Sequence, residues 1–273
     1  MRLINMLLVI WPVLSVGELI YPTGATEKSL FVCYGKIDPN SVVGYKLVVL
    51  EAGHFNFDDI QVFKNNNEKV IAYISLTEVN ENSHLFQELE PYCMGENTNW
   101  NSRIINIAHK GAKEVLLNEI LKIENQGFDG VFLDNLDNVS HWGMLKGKEK
   151  ELINLLETIR KKHPQFYLCQ NSGIFLNGQL ADLTDAIVIE SLVTNYDFEK
   201  QDYVLREKES KKQMLKKIKH LKTTTDKPIY ALEYTNEPVT MAKVAKELSS
   251  YKLQFYITQI NLQYPSQFLK QNK

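Results

Sequence analysis

Eight short apolar runs, separated by helical patterns, constrain this chain more than any other feature. They are FVCYG (31–35), KLVVLEA (46–52), KVIAYISL (69–76), GVFLDNL (130–136), FYLCQNS (166–172), AIVIESL (186–192), IYALEY (229–234) and FYITQI (255–260). Each has strand length and is continuously apolar rather than alternating. That pattern belongs to strands covered on both faces, as in a parallel sheet. Between them, HKGAKEVLLNEILKIENQ (109–126) places Ala112, Val115, Leu116, Ile120 and Ile123 on one helical face, with Gly127 at the C′ position. GKEKELINLLETIRKKH (147–163) does the same with Leu152, Leu155, Leu156 and Ile159 and is stopped by Pro164. After Pro238, the residues Met241, Val244, Ala245 and Leu248 recur at helical spacing, whereas NFDDIQVFKNN (56–66) is a shorter and weaker pattern.

Strand and helix alternating about eight times over roughly 250 residues predict an α/β fold of the (β/α)8 TIM-barrel type. The alternative, an open doubly wound sheet, usually carries a Gly-rich first turn, and none is present. Residues 77–107, with Tyr92, Trp100 and several Asn, read as a long irregular insertion after the third strand. No low-complexity linker divides the chain, so one domain is expected over 28–270.

The N-terminus stands apart. MRLINMLLVIWPVLSVG (1–17) has one Arg, an apolar run, and Ser15-Val16-Gly17 with small residues at −3 and −1 of a cleavage site. The run is shorter than the ~20 residues of a membrane span. It reads as a secretory signal, with an uncleaved anchor or a buried first helix as alternatives. The expected location is secreted or extracytoplasmic, with no stable membrane partner apart from such an anchor.

A net charge of −2 offers no basic face for nucleic acid. The most basic stretch, REKESKKQMLKKIKHLK (206–222), spaces Met214, Leu215, Ile218 and Leu221 as one face of an amphipathic helix, so its charges read as the solvated face. Cys33, Cys93 and Cys169 form no CxxC; Cys33 and Cys169 lie in strand-like runs and read as small buried hydrophobes. The six histidines are scattered, with no HExxH. Neither a metal site nor a cofactor is expected, and the chain is expected to be a monomer.

In a (β/α)8 barrel the C-terminal strand ends build the active site. Following the runs in order, those ends carry Tyr34, Glu51, Ser75 with Glu78, Asp134 with Asp137, Gln170 with Asn171, Glu190, Glu233 with Tyr234, and Gln259 with Asn261. Carboxylates follow five of the eight strands, without a matching set of Lys or Arg. Unpaired buried carboxylates cost several kcal/mol or become neutral, so such a rim is a metal site or an acid/base site. One acid alone would read as a strand cap; acids at five ends do not. Mg²⁺ or Ca²⁺ would suit carboxylates, but no DxD or His–carboxylate spacing sets a ligand frame. Glycoside hydrolysis, with one protonated and one ionised carboxyl flanking a sugar bond, fits better. Tyr34, Tyr73, Trp142, Tyr196 and Tyr234 offer faces for sugar rings, and Asn171 an amide for hydroxyls.

AYISLTEVNE (72–81), GFDGVFLDNLD (127–137), the QNSG turn (170–173) and VIESL (188–192) resemble glycoside hydrolase family 114. Its members are endo-α-1,4-polygalactosaminidases, and related hydrolase domains act on galactosamine-rich exopolysaccharide. The similarity runs from about residue 31 to 260, and the fourth-strand motif is its most specific part. The resemblance implies a (β/α)8 glycosidase acting on an α-1,4-linked amino-sugar polymer or oligosaccharide. It implies Asp134 and Glu190 as the catalytic pair, with Asp134 the nucleophile or water-activating base and Glu190 the general acid. Glu51, Glu78 and Asp137 would then line subsites, where carboxylates suit a cationic sugar. Tyr34, Tyr73, Asn171, Glu233 and Tyr234 complete the expected substrate-binding set. The chain departs from the family at Ser75-Leu76-Thr77-Glu78, where Ser-x-Gly-Glu is expected, so this loop follows a different path. A carbohydrate-binding barrel without catalysis and a metal-dependent hydrolase are the alternatives.

Overall fold

The structure is a computed structural model and describes residues 28–266. The expected leader at 1–17 lies outside the described residues. Eight parallel strands form one sheet: β1 (Lys28–Cys33), β2 (Tyr45–Leu50), β3 (Val70–Ser75), β4 (Gly130–Asp134), β5 (Tyr167–Asn171), β6 (Ala186–Glu190), β7 (Ile229–Tyr234) and β8 (Gln254–Thr258). Each strand pairs with its successor in the chain, the order a (β/α)8 barrel requires. The barrel is nearly closed between β1 and β8. There the Tyr34 N–H donates to the Leu262 carbonyl at 2.7 Å, and the rings of Phe31 and Tyr256 meet at 5.5 Å. A Cβ at Gly35 would fall inside the Gln263 carbonyl, so only glycine lets the two backbones approach this closely.

The continuously apolar runs are explained by burial on both faces. Val48, Val49, Val70, Ile71, Val131, Phe132, Leu168, Cys169, Ile187 and Val188 are all fully buried. Outside the sheet pack α1 (Phe57–Asn66), α2 (Lys110–Asn125), α3 (Glu149–Lys162), α4 (Lys208–Thr224) and α5 (Pro238–Ser250). They turn inward the stripes expected from the sequence, such as Leu152, Leu155, Leu156 and Ile159 of α3. The weak pattern of α1 is reinforced at its start by a capping box, in which Asn56 accepts from the Asp59 N–H and Asp59 from the Asn56 N–H.

Two crossovers depart from the regular barrel. β1 to β2 and β5 to β6 are joined through single 3-10 turns, Pro39–Ser41 and Ile174–Leu176, instead of helices. The stretch 77–107 is not the irregular loop expected. It contains an antiparallel sheet in which Ser102–Ile105 pairs with both Glu78–Asn80 and Cys93–Asn97, plus the one-turn helix Phe86–Leu89. These strands are three to five residues long and half polar, too short and too polar to leave an apolar run. A second excursion, the hairpin Thr194–Asp197 with Asp202–Leu205, rises after β6 and escapes a hydrophobicity reading for the same reason. All three cysteines are free thiols, with Cys33 and Cys169 in the core. No helix among the described residues is long and apolar enough to cross a membrane.

Candidate active site

Asp134 is the last residue of β4, and the chain turns immediately after it. Asn135 takes the left-handed conformation (φ 61°), which asparagine tolerates better than most residues. Its amide holds the turn by donating to Ser75 Oγ at 2.9 Å, and Thr77 Oγ1 donates to its carbonyl at 2.7 Å. The Asp134 carboxylate is surrounded by donors. Oδ1 accepts from the Asn135 N–H (2.8 Å) and from Asn171 Nδ2 (2.6 Å); Oδ2 accepts from the Tyr73 hydroxyl (3.0 Å) and Asn135 Nδ2 (3.2 Å).

Glu190 ends β6. Its Oε1 accepts from Asn171 Nδ2 at 2.6 Å and its Oε2 from the Tyr234 hydroxyl at 2.7 Å. Asn171 ends β5, the strand between the two, so one amide nitrogen donates a proton to each carboxylate. Two 2.6 Å bonds to one nitrogen leave Asp134 Oδ1 and Glu190 Oε1 no further apart than twice that distance.

Burial raises the pKa of both acids, but their surroundings differ. The bonds from Asn171, Asn135 and Tyr73 oppose the rise at Asp134. Glu190 is pushed up to about 7, first by burial and then by the charge of Asp134, with Tyr234 and Asn171 pulling the other way. Four donors around Asp134 against two around Glu190 favour the ionised form of the first and the proton on the second. Tyr34, packed on Tyr73 at 4.6 Å, and Tyr234 both have hydroxyls held well above their ordinary pKa by burial and then by the neighbouring carboxylates, so they remain donors.

These residues lie on the floor of a cleft of about 950 Å³. Glu51, at the end of β2, lines it and is pushed up to about 7 by burial, an effect reduced by nearby His84. Asp137 lines its edge, with burial raising its pKa and the Gly173 N–H donating to its Oδ1 at 3.2 Å. Glu78 also lines the cleft, but its carboxylate is already taken up by Asn97, Ser102 and Asn138, and so clamps the insertion sheet to the turn after β4.

Glu233 is a correction. It is fully buried and does not line the cleft; it accepts from the N–H groups of Val193 and Thr194 and from the Thr194 hydroxyl at 2.7 to 3.1 Å. Neighbouring strand residues point to opposite faces, so with Tyr234 directed at Glu190, Glu233 points away and anchors the base of the hairpin. Trp142 and Tyr196 are corrections too, since neither borders the cleft. Trp142 is 90% exposed beside His141, and Tyr196 packs between Phe198 and Tyr203.

Sequence reasoning overlooked three residues that border the cleft: Trp100, His84 and Glu119. Glu119 is buried on α2, paired with His84 at 2.9 Å and Lys122 at 3.1 Å. Its signal was available, because it shares the apolar face with Leu116, Ile120 and Ile123. Among the described residues, no group of three His, Cys, Asp or Glu side chains is arranged to hold a metal ion.

Several known proteins are similar. The glycoside hydrolase domain of PelA from Pseudomonas aeruginosa superposes with a TM-score of 0.78 at 22% identity, over 86% of this chain and 96% of that one. Ega3 from Aspergillus fumigatus, solved in complex with galactosamine, gives 0.68 at 15% identity, over 89% and 94%. The α-galactosidase TtGalA from Thermus thermophilus gives 0.56 at 10% identity, over 84% and 57%. At these identities the likeness is one of fold. An uncharacterized protein of Thermotoga maritima is 21% identical over 56% of this chain, which spans about half (53%) of that relative's length. Residues 21–273 match glycoside-hydrolase family GH114, nearly the whole chain, and the protein is therefore a glycosidase belonging to that family.

Proposed function

We propose that the protein is a secreted hydrolase of α-1,4-linked galactosamine polymer that works with retention of configuration, Asp134 acting as nucleophile and Glu190 as acid/base. The observation that carries this reading is the bridge by Asn171, which keeps the facing carboxyl oxygens within two 2.6 Å bonds of each other. Retaining enzymes hold their carboxyls ~5–5.5 Å apart, whereas inverting enzymes need ~6.5–9.5 Å to admit a water.

In the first step Glu190 gives its proton to the glycosidic oxygen as an Asp134 oxygen attacks the anomeric carbon. The leaving chain departs with that proton, and a glycosyl ester forms on Asp134. In the second step the Glu190 carboxylate takes a proton from water, the water oxygen attacks the same carbon, and the ester bond breaks to restore the Asp134 carboxylate. Tyr73, Asn135 and Asn171 stabilise the ionised nucleophile before attack and after release.

The substrate class is supported by the galactosamine bound in Ega3 and by the composition of the cleft. Among the described residues, Glu51, Glu78, Glu119, Asp134, Asp137 and Glu190 line it, with no Lys or Arg. Such a lining attracts a polymer carrying ammonium groups. The N-terminal pattern of residues 1–17 supports export.

The test is to incubate partly de-N-acetylated α-1,4-galactosaminan with the enzyme and follow the first-formed products by mass spectrometry and proton NMR. Oligosaccharides with α-configured reducing ends are expected. β-configured initial products would overturn retention, and turnover of the polymer by Glu190→Gln at the wild-type rate would overturn the catalytic assignment.

A further inference from the structure

The tyrosines nearest the catalytic pair are occupied. Tyr73 and Tyr234 spend their hydroxyls on Asp134 and Glu190, and Tyr34 packs against Tyr73. Another large aromatic side chain, Trp100, also borders the cleft. Trp100 sits in the turn between the insertion strands Cys93–Asn97 and Ser102–Ile105. Its backbone N–H donates to the Asn97 carbonyl at 3.2 Å, and its backbone carbonyl accepts from Asn80 Nδ2 at 2.7 Å. The ring meets Phe198, just beyond the first strand of the hairpin, edge to face at 5.1 Å and 80°.

From Phe198 the contacts continue to Tyr196 and then Tyr203, each at 5.1 Å, and the Tyr203 hydroxyl accepts from the Ile260 N–H at 3.0 Å. Four rings thus tie together the excursions that leave the rim after β3, β6 and β8. Despite this seating, Trp100 remains 45% exposed and lines the cleft. An edge-to-face contact leaves ring surface free. Among the described residues, no Lys or Arg lines the cleft to cover that surface.

We propose that Trp100, seated by Phe198, is a stacking platform for a galactosamine unit of the polymer at a subsite remote from the catalytic pair. This rests on the substrate class proposed above. An aromatic face is negative at its centre, so it attracts both the C–H face of a pyranose and an ammonium group held nearby, and tryptophan does so most strongly. The platform therefore favours the de-N-acetylated unit over the neutral N-acetylated one. It contributes to binding a long chain and not to the chemical step.

The test uses the full chain with Trp11 and Trp142 replaced by Phe, leaving Trp100 as the sole tryptophan, and Glu190→Gln to stop turnover. Tryptophan emission is followed as α-1,4-galactosamine oligomers of two to eight units are added. A saturable change with the longer oligomers and none with the dimer is expected. In the active enzyme, Trp100→Ala should raise KM for the polymer about 10-fold with kcat unchanged, the signature of lost uniform binding. Trp100→Phe should keep most of the affinity, and Phe198→Ala should fall between the two.

Unaltered polymer KM in a folded Trp100→Ala variant overturns the platform while leaving the hydrolase reading in place. Equal losses on short and long substrates, with a lowered melting temperature, overturn it in favour of a purely architectural contact. Emission changes with oligomers that the wild type never cleaves support the platform and overturn the hydrolase reading instead.

Discussion

Glu190, the proposed acid/base, shows how a buried carboxyl works against the fold that holds it. Its pKa rises from an ordinary 4.5 to about 7 because burial and the charge of Asp134 disfavour ionisation. A carboxyl with a raised folded pKa is favoured by the fold in its protonated form. Its contribution to stability is complete below the unfolded value and is lost as pH rises through about 7. Glu190→Gln should therefore stabilise the fold at pH 8 by about 3 kcal/mol at most, read as a raised melting temperature, and the gain should vanish near pH 4.5. The same variant should lose about 10²–10⁴-fold or more in kcat. A gain that grows toward low pH would show that the sign is wrong. Asn171 gives the complementary prediction. Its bond is the largest of those that hold Asp134 down, so Asn171→Ala should move the acidic limb of the kcat/KM profile upward while lowering kcat. An acidic limb that stays in place would remove Asn171 from control of the pair. The two acids were legible in the sequence as the polar ends of buried runs. The bridge was not, because it depends on the mutual register of β4, β5 and β6, which no single run encodes. Glu233 misled because adjacency to Tyr234 was taken as shared location, whereas alternation along β7 sends the two side chains to opposite faces.

At the scale of elements, legibility followed burial. The barrel strands are covered on both faces and wrote themselves as apolar runs, and the helices that cover them left stripes. The insertion sheet and the hairpin have partly exposed faces and are held by polar groups acting at a distance in sequence. Glu78 receives Asn97, Ser102 and Asn138; Glu233 receives Val193 and Thr194. A buried carboxylate that saturates the donors of a loop is an anchor, and removing it leaves those donors orphaned. With ~1–3 kcal/mol for each unsatisfied buried group, Glu233→Ala should destabilise by at least about 3 kcal/mol. It should also accelerate hydrogen exchange across residues 193–205 more than in the barrel strands, and Glu233→Gln should recover part of the loss. Unchanged exchange in the hairpin would mean that it is held by its aromatic contacts alone. By contrast, Asn56→Ala removes only the cap of α1 and should cost about 1 kcal/mol with the kinetics intact.

At the scale of the molecule, the informative quantity is the placement of charge rather than its sum. A net charge of −2 predicts little, yet among the described residues six carboxyl groups and no Lys or Arg line one cleft. A concave wall of one sign focuses the field and raises the local concentration of opposite charge. The strand ends made this partly readable in the sequence, since acids follow five of the eight runs. Glu119 reaches the cleft from a helix and completes the lining. Attraction of this kind acts on encounter and binding and is screened over ~10 Å at 0.1 M salt. Raising the salt from 0.05 to 0.5 M, values on the order of those that shorten this range severalfold, should therefore raise KM for de-N-acetylated polymer about 10-fold. It should leave kcat almost unchanged, because the pair on the cleft floor is buried and screened little. A fully N-acetylated polymer carries no ammonium, and whatever turnover it supports should be insensitive to salt. Equal salt dependence on both polymers would mean that the acidic lining serves the ionisation of the catalytic pair and not the capture of a cationic chain.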